Sequence, residues 1–357
     1  MLSIYTLFAH SERNFVPLSN EFAASGGVKM TINKSMSVVA IALVSLFSVV
    51  GCGTSDSSDE VVIDDGDTAT SDTQIGLDPA LFVDGALIES VTTENCTLSG
   101  GTATTCYRIS IAGVPANAEI GPFCPPNITS DASEGGIWFD GNGEVYDISG
   151  EFIKNLDSLY GSSWLLYDPA TGDVNITDSQ VACEAAARPD VAEEYQNHCV
   201  VCSIDYYDGG ISSTFLIPTT PVPLNNPQNI GNDDLGVTLN GVVFAPAAPV
   251  DAILAANTIA AFDDCGGHVN PFEGYHYHAA TGCTETLSEA DGHASLLGYA
   301  LDGYGIFAMR DAAGEEEFDL DECRGHSDDT RGYHYHSASA AENMFIGCYH
   351  GEQGAKQ

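Results

Sequence analysis

The residues best suited to chemistry in this sequence are histidines, and they come as a repeated pattern. Gly-Tyr-His-Tyr-His occurs at 274–278 and again at 332–336. The match extends without a gap over "DDCGGHVNPFEGYHYH" (263–278) and "DECRGHSDDTRGYHYH" (321–336), which together hold six of the chain's ten histidines. In extended backbone, successive side chains point to opposite faces. His276 and His278 then share one face with Cα atoms roughly 7 Å apart, and Tyr275 and Tyr277 share the other. His334 and His336 repeat the arrangement. Two imidazoles so placed can chelate one transition-metal ion, and neutral imidazole suits Cu or Zn. His268 and His326 supply a third ring to each copy. Each follows a glycine (Gly267, Gly325) at the end of a cysteine-anchored turn, where a positive φ is expected. Two geometries are open: each copy offers three imidazoles, or the two copies face each other and share one site. Asp263, Asp264, Asp321 and Glu322 are expected to accept the second ring N–H and fix the tautomer. His293 and His350 are possible additional members.

Two other readings account for the same residues. Alternating Tyr and His can form a hydrogen-bonded ladder in a non-catalytic structural or surface-binding module. A metal-dependent hydrolase or oxidase would need an open coordination position and an acid/base such as Asp264 or Glu322. The sequence has no P-loop, GxGxxG, GxSxG or HExxH motif, and no catalytic residue is assigned.

To do any of this the histidines must be held by a fold, and the chain is long enough for one. It has 357 residues, 44% apolar, with 10 Lys+Arg against 51 Asp+Glu. Nucleic acid is excluded as a partner by so negative a field, and so is electrostatic adsorption to anionic membranes. The expected partner is a metal ion or small molecule. Lys34, an apolar run from Val38 to Val50 and then Gly51-Cys52 read in order as a signal peptide ending in a lipobox. On that reading residues 1–29 precede the true start, 30–52 are the signal peptide, and Cys52 carries the lipid. Residues 53–80, rich in Ser, Thr and Asp, form a tether. The membrane is then reached through the anchor alone, at the outer membrane or surface of a bacterial cell envelope. A single globular domain is expected over 81–352, with an N-terminal part (81–205) and a duplicated Cys/His part (230–352).

Ten cysteines remain once Cys52 is set aside, an even number suited to five disulfides in an oxidising compartment. Proximity suggests Cys96–Cys106, Cys265–Cys283 and Cys323–Cys348. Cys124, Cys183, Cys199 and Cys202 allow three pairings. The CxxC at 199–202 has no second half-site, so disulfide use is expected there.

Patterning predicts a mainly β protein with a few short helices: a disulfide-rich, β-sandwich-like or irregular β unit. Strands are expected in 106–114, and in hairpins over 135–148, 164–177, 235–246 and 296–318, with a helix over 151–161. A second helix is expected in 179–199, broken at Pro189. The stretch 214–229, with four prolines in sixteen residues, is expected to be an irregular connection. Trp138 and Trp164 read as core anchors.

The ordered motifs "DDCGGHVNPFEGYHYHAATGC", "GHASLLGYALDGYGIF" and "DLDECRGHSDDTRGYHYH…GCYHG", with the earlier "GVTLNGVVF", together resemble the YHYH-domain family of exported bacterial proteins. The resemblance spans about 105–352. It implies export and a shared fold and brings no established activity. Where the family commonly has Asn-Gly-His after the cysteine, this chain has Gly266-Gly267-His268 and Arg324-Gly325-His326.

Overall fold

In the computed structural model, residues 74–357 are described, apart from 162, 189, 285 and 286. The expected signal peptide, Cys52 and most of the expected tether lie outside them. Among the described residues no helix is long and apolar enough to cross a membrane.

The central element is an eight-stranded sheet. Its strands are β1 (Gly236–Thr238), β2 (Val243–Phe244), β3 (Gly267–Asn270), β4 (Gly274–Tyr277), β5 (Leu296–Ala300), β6 (Gly305–Phe307), β7 (Gly325–Asp328) and β8 (Gly332–His336). Across the sheet they run β3-β4-β2-β1-β5-β6-β8-β7. Read from either end, the order is the same once β1–β4 are exchanged for β5–β8. The duplication therefore takes in 235–246 and 297–308, which align at a constant offset of 62 residues although only four of the twelve positions are identical. Hydrogen bonds repeat at that offset: Thr238 N to Val242 O and Ala300 N to Tyr304 O are both 2.9 Å. At the centre, Val237 pairs with Tyr299 in antiparallel register. Leu239 N to Leu297 O (2.9 Å) and Leu301 N to Leu235 O (2.8 Å) are the two halves of a pseudo-twofold exchange.

Each outer hairpin carries one histidine set. His268 lies opposite His276 in β3/β4, and His326 opposite His334 in β7/β8. Gly274 (φ 70°) and Gly332 (φ 67°) close the two turns in the left-handed region. The glycines before His268 and His326 have another purpose than the expected positive φ. A Cβ at Gly267 or Gly325 would run into the phenol of Tyr275 or Tyr333. The positive φ sits one residue earlier, at Gly266 (78°) and Arg324 (65°). Asparagine tolerates that conformation, which accounts for the family's Asn there.

The main core lies between the tyrosine-bearing sheet and a second, four-stranded one. That sheet is Thr92–Thr97, Ala103–Ile111, Ser213–Pro218 and Ala355–Lys356, in chain order. Ile109, Ile111, Phe215 and Ile217 from it cluster with Val237, Phe244, Tyr275 and Tyr277, all fully or nearly fully buried. A second cluster gathers Trp138, Phe139, Trp164 and Phe262 around the hairpin Ile137–Phe139/Val145–Asp147 and the helix Gly150–Tyr160, which Gly161 ends in a left-handed conformation. Both tryptophans are core residues.

All ten cysteines of the described region are bridged, as Cys96–Cys106, Cys124–Cys199, Cys183–Cys202, Cys265–Cys283 and Cys323–Cys348. Cys199 and Cys202 thus belong to different bridges. Three expectations are corrected. The proline-rich 214–229 is not an irregular connection, because Ser213–Pro218 and Pro223–Asn229 are strands. Pro218 and Pro223 stand at strand ends, and the second strand lies in a two-stranded sheet with Cys348–Gly351, where few ladder donors are required. Residues 164–177 form no full hairpin: they pair with one another through the single Tyr167–Val174 bridge, while Asp173 bridges Asn127 and Ile176 bridges Cys199. The helix in 179–199 is confined to Gln180–Ala186, followed by a short 3-10 turn at Glu193–Tyr195.

Candidate metal centres

The alternation in Tyr-His-Tyr-His separates two tasks. On one face of β4, the Tyr275 hydroxyl donates to Asp263 (2.8 Å), and the Asn240 amide donates to the Tyr277 hydroxyl (3.1 Å). On β8, the Tyr333 hydroxyl donates to Asp321 (2.9 Å) and the Tyr335 hydroxyl to Asp302 (2.5 Å). In each copy the tyrosines therefore pin the histidine strand to its own cysteine loop and to the turn between the two inner strands. Asp302 is fully buried and also accepts from Gly351 N, so it is more than a small turn residue.

On the opposite face the histidines converge. His268, His276 and His278 place ring nitrogens within 4.8 Å of one another; so do His293, His326, His334 and His336. The structure thus forms two clusters, one at each hairpin, and does not bring the copies to a shared site. Five strand steps separate β4 from β8, on the order of 24 Å. His293 is the fourth ring of the second cluster, and it comes from the loop before β5. His350 belongs to neither cluster: it stacks on Tyr333 with ring centroids 3.8 Å apart.

At His276, His278, His293, His334 and His336 the ring tautomer is set by a backbone carbonyl, and not by Asp263 or Asp321 as expected. Asp263 and Asp321 are engaged by tyrosine hydroxyls and by the N–H groups of their own loops. His276 Nδ1 bonds Gly274 O (3.0 Å), His278 Nδ1 bonds Pro246 O (2.7 Å), His334 Nδ1 bonds Gly332 O (2.9 Å) and His336 Nδ1 bonds Ala308 O (2.9 Å). His293 Nδ1 likewise meets Ala294 O (3.0 Å). A carbonyl oxygen only accepts, so each Nδ1 carries the proton and each Nε2 keeps its lone pair. His326 Nδ1 faces Asp319 Oδ1 at 2.9 Å, and nothing in the sequence marked Asp319 for that position. Glu317 joins Asp319 on this outer side of His326.

In the second cluster the Nε2 atoms face one another. His334 Nε2 lies 3.1 Å from His293 Nε2 and 3.0 Å from His326 Nε2, and His336 Nε2 lies 3.3 Å from His326 Nε2. Four nitrogens at the corners of a tetrahedron with bonds of 2.0–2.1 Å stand about 3.3–3.4 Å apart. Burial disfavours the charged form of the rings at His268, His276, His278, His334 and His336. It lowers His276 and His334 to about 4 and His278 and His336 to about 3. Burial also pushes His268 well below the usual imidazole range. Aromatic walls close the sides: Phe262 packs on His268 and His278, and Phe307 on His293 and His334.

The second cluster has a further support. Arg331, nearly buried, reaches Asp328 and Asp291 at 2.6 Å each and Glu289 at 3.4 Å. It ties the turn before His334 to the loop that carries His293.

No curated protein and no solved structure matches the chain. The model of one family, described as YHYH protein, matches residues 214–316, which span β1 to β6. The match thus takes in the inner strands, the first Tyr-His-Tyr-His hairpin and His293, and ends before the second hairpin.

Proposed function

We propose that each histidine cluster binds one divalent transition-metal ion, Zn or Cu. The observation that carries this reading is the mutual approach of ring Nε2 atoms to 3.0–3.3 Å in the second cluster. Neutral rings whose only N–H is already given to a carbonyl or carboxylate repel one another when their lone pairs meet. A shared cation relieves this repulsion. An all-imidazole set favours Zn or Cu over Mg or Ca.

A hydrogen-bonded scaffold would need a proton between the facing nitrogens. Burial opposes this at His334 and His336, which it lowers to about 4 and about 3. For the metal-dependent enzyme reading, Asp264 and Glu322 are both exposed, and no acid/base is assigned.

Elemental analysis of the dialysed protein, with a micromolar Zn titration, tests the reading. Retention or uptake of metal supports it; absence of both rejects it, and the clusters are then scaffold.

We also propose that the domain is exported and held at the cell envelope by a lipid on Cys52. The order of basic residue, apolar run and Gly-Cys supports this. So do five disulfides, which persist in oxidising compartments. Palmitate labelling that Cys52→Ser abolishes is the expected result; equal labelling of both chains would refute the anchor.

A further inference from the structure

The two clusters differ by one ligand, and the difference has a chemical consequence that rests on the metal-binding reading above. Four imidazoles complete a tetrahedral shell at the second cluster. At the first, His268, His276 and His278 supply three nitrogens, and among the described residues no fourth donor joins them. Asn270, the nearest amide, cannot turn its oxygen inward. Its Oδ1 accepts from Phe272 N and Glu273 N at 2.8 Å each, closing the hairpin turn. That anchorage leaves the Asn270 Nδ2 group 3.4 Å from His276 Nε2, the atom that would face the ion. Among the residues of β3, His268 and Asn270 keep some solvent exposure. The equivalent residue in the second copy, Asp328, is bonded to Arg331, and His293 completes that cluster.

We infer that a metal ion held by His268, His276 and His278 takes its fourth ligand from solution, a small monodentate anion, and that Asn270 donates an N–H to it. A three-histidine ion with one exchangeable position is the arrangement that admits a reactant. A four-histidine ion is closed. The first cluster is thus the ligand-exchanging centre and the second a saturated one.

The test loads the full chain with Co(II), whose visible absorption reports coordination, and titrates azide. Azide is expected to change the spectrum of the wild type and of His334→Gln, and to leave that of His276→Gln unchanged. Asn270→Asp keeps the turn-closing oxygen and replaces the N–H donor with a charge that repels anions. It is expected to weaken azide binding about tenfold or more, the range for a lost hydrogen bond to a charged group. A spectrum unmoved by azide in a cobalt-loaded wild type overturns the inference and leaves the metal-binding reading standing. An azide response confined to His276→Gln, or equal in both variants, overturns it too. If no cobalt is taken up, both fail.

Discussion

The two halves of the eight-stranded sheet share strand order, hairpin register and the carbonyl partners that orient their histidines, yet end in unequal clusters. The sources of the inequality are specific. Where the second half has His293, the offset of 62 puts Gly231 in the first, and where it has Arg331, the offset of 58 puts Glu273. A loop can bring a fourth ring to the cluster only if something holds that loop, and in the second half Arg331 does so through Asp291 and Glu289. Duplication therefore supplied two frames, and substitutions at the sheet ends gave them different openness. The frame lies on the tyrosine face; the difference lies in the loops.

The shared frame is where the largest effect is expected. The bridges Cys265–Cys283 and Cys323–Cys348 start from equivalent cysteines but close loops with sequence separations of 18 and 25. Loop entropy varies only with the logarithm of length, so replacing either pair by serines is expected to cost a similar amount, about 3–4 kcal/mol, in urea unfolding. A much larger loss in one half would show that the frames are not equivalent.

Next comes the clamp peculiar to the second half. Arg331→Met is expected to lower stability by about 2–3 kcal/mol, less than for a fully buried network because its carboxylate partners keep some exposure. It is also expected to weaken metal binding at that cluster alone. Unfolding curves and Zn titrations check both. An equal effect on the two clusters would remove Arg331 as the source of the difference.

Converting the second cluster to three rings sharpens the comparison directly. His293→Ala is expected to lower Zn affinity there by no less than the tenfold to hundredfold seen when outer partners of metal ligands are lost. It should also make that cluster's Co(II) spectrum sensitive to azide. An unchanged affinity would place His293 outside the metal shell.

The smallest effect concerns the turns behind the tyrosines, Asn240 in one half and Asp302 in the other. Burial raises Asp302 to about 6. The folded state therefore holds this proton more tightly than the unfolded chain. Its contribution to stability is fullest below the ordinary carboxyl value of 3.8 and is lost as pH rises through about 6. Asp302→Asn is expected to remove that slope from the stability–pH curve. It is also expected to cost about 1–2 kcal/mol near neutral pH, because an amide whose oxygen accepts from Tyr335 and Gly351 turns its own N–H group toward Tyr304 N, which donates to the carboxylate's other oxygen. An unchanged slope would refute the assignment.

How much of this was legible in the sequence follows from where the information sits. The hairpins could be read, because period-two alternation and an ungapped repeat fix which residues share a face. The tautomer-setting partners could not, since Pro246 and Ala308 act through carbonyls that every residue has, 32 and 28 positions from the rings they bind. His293 could be named only as a possible member, beside His350, because it stands between the two repeats and outside their pattern. The duplication of β1 and β2 escaped notice because four identities in twelve positions do not stand out; paired hydrogen bonds at a fixed offset made it visible. In 214–229 the prolines suggested an extended, irregular connection, whereas the alternating Phe215 and Ile217 face the core from a paired strand.

The central claim is that the two clusters are separate metal sites, and the most direct measurement is Zn stoichiometry by calorimetric titration of the wild type, His276→Gln and His334→Gln. The account expects two ions per chain in the wild type and one in each variant, with the surviving ion differing between them. No binding by the wild type, or a single ion lost in both variants alike, would contradict it.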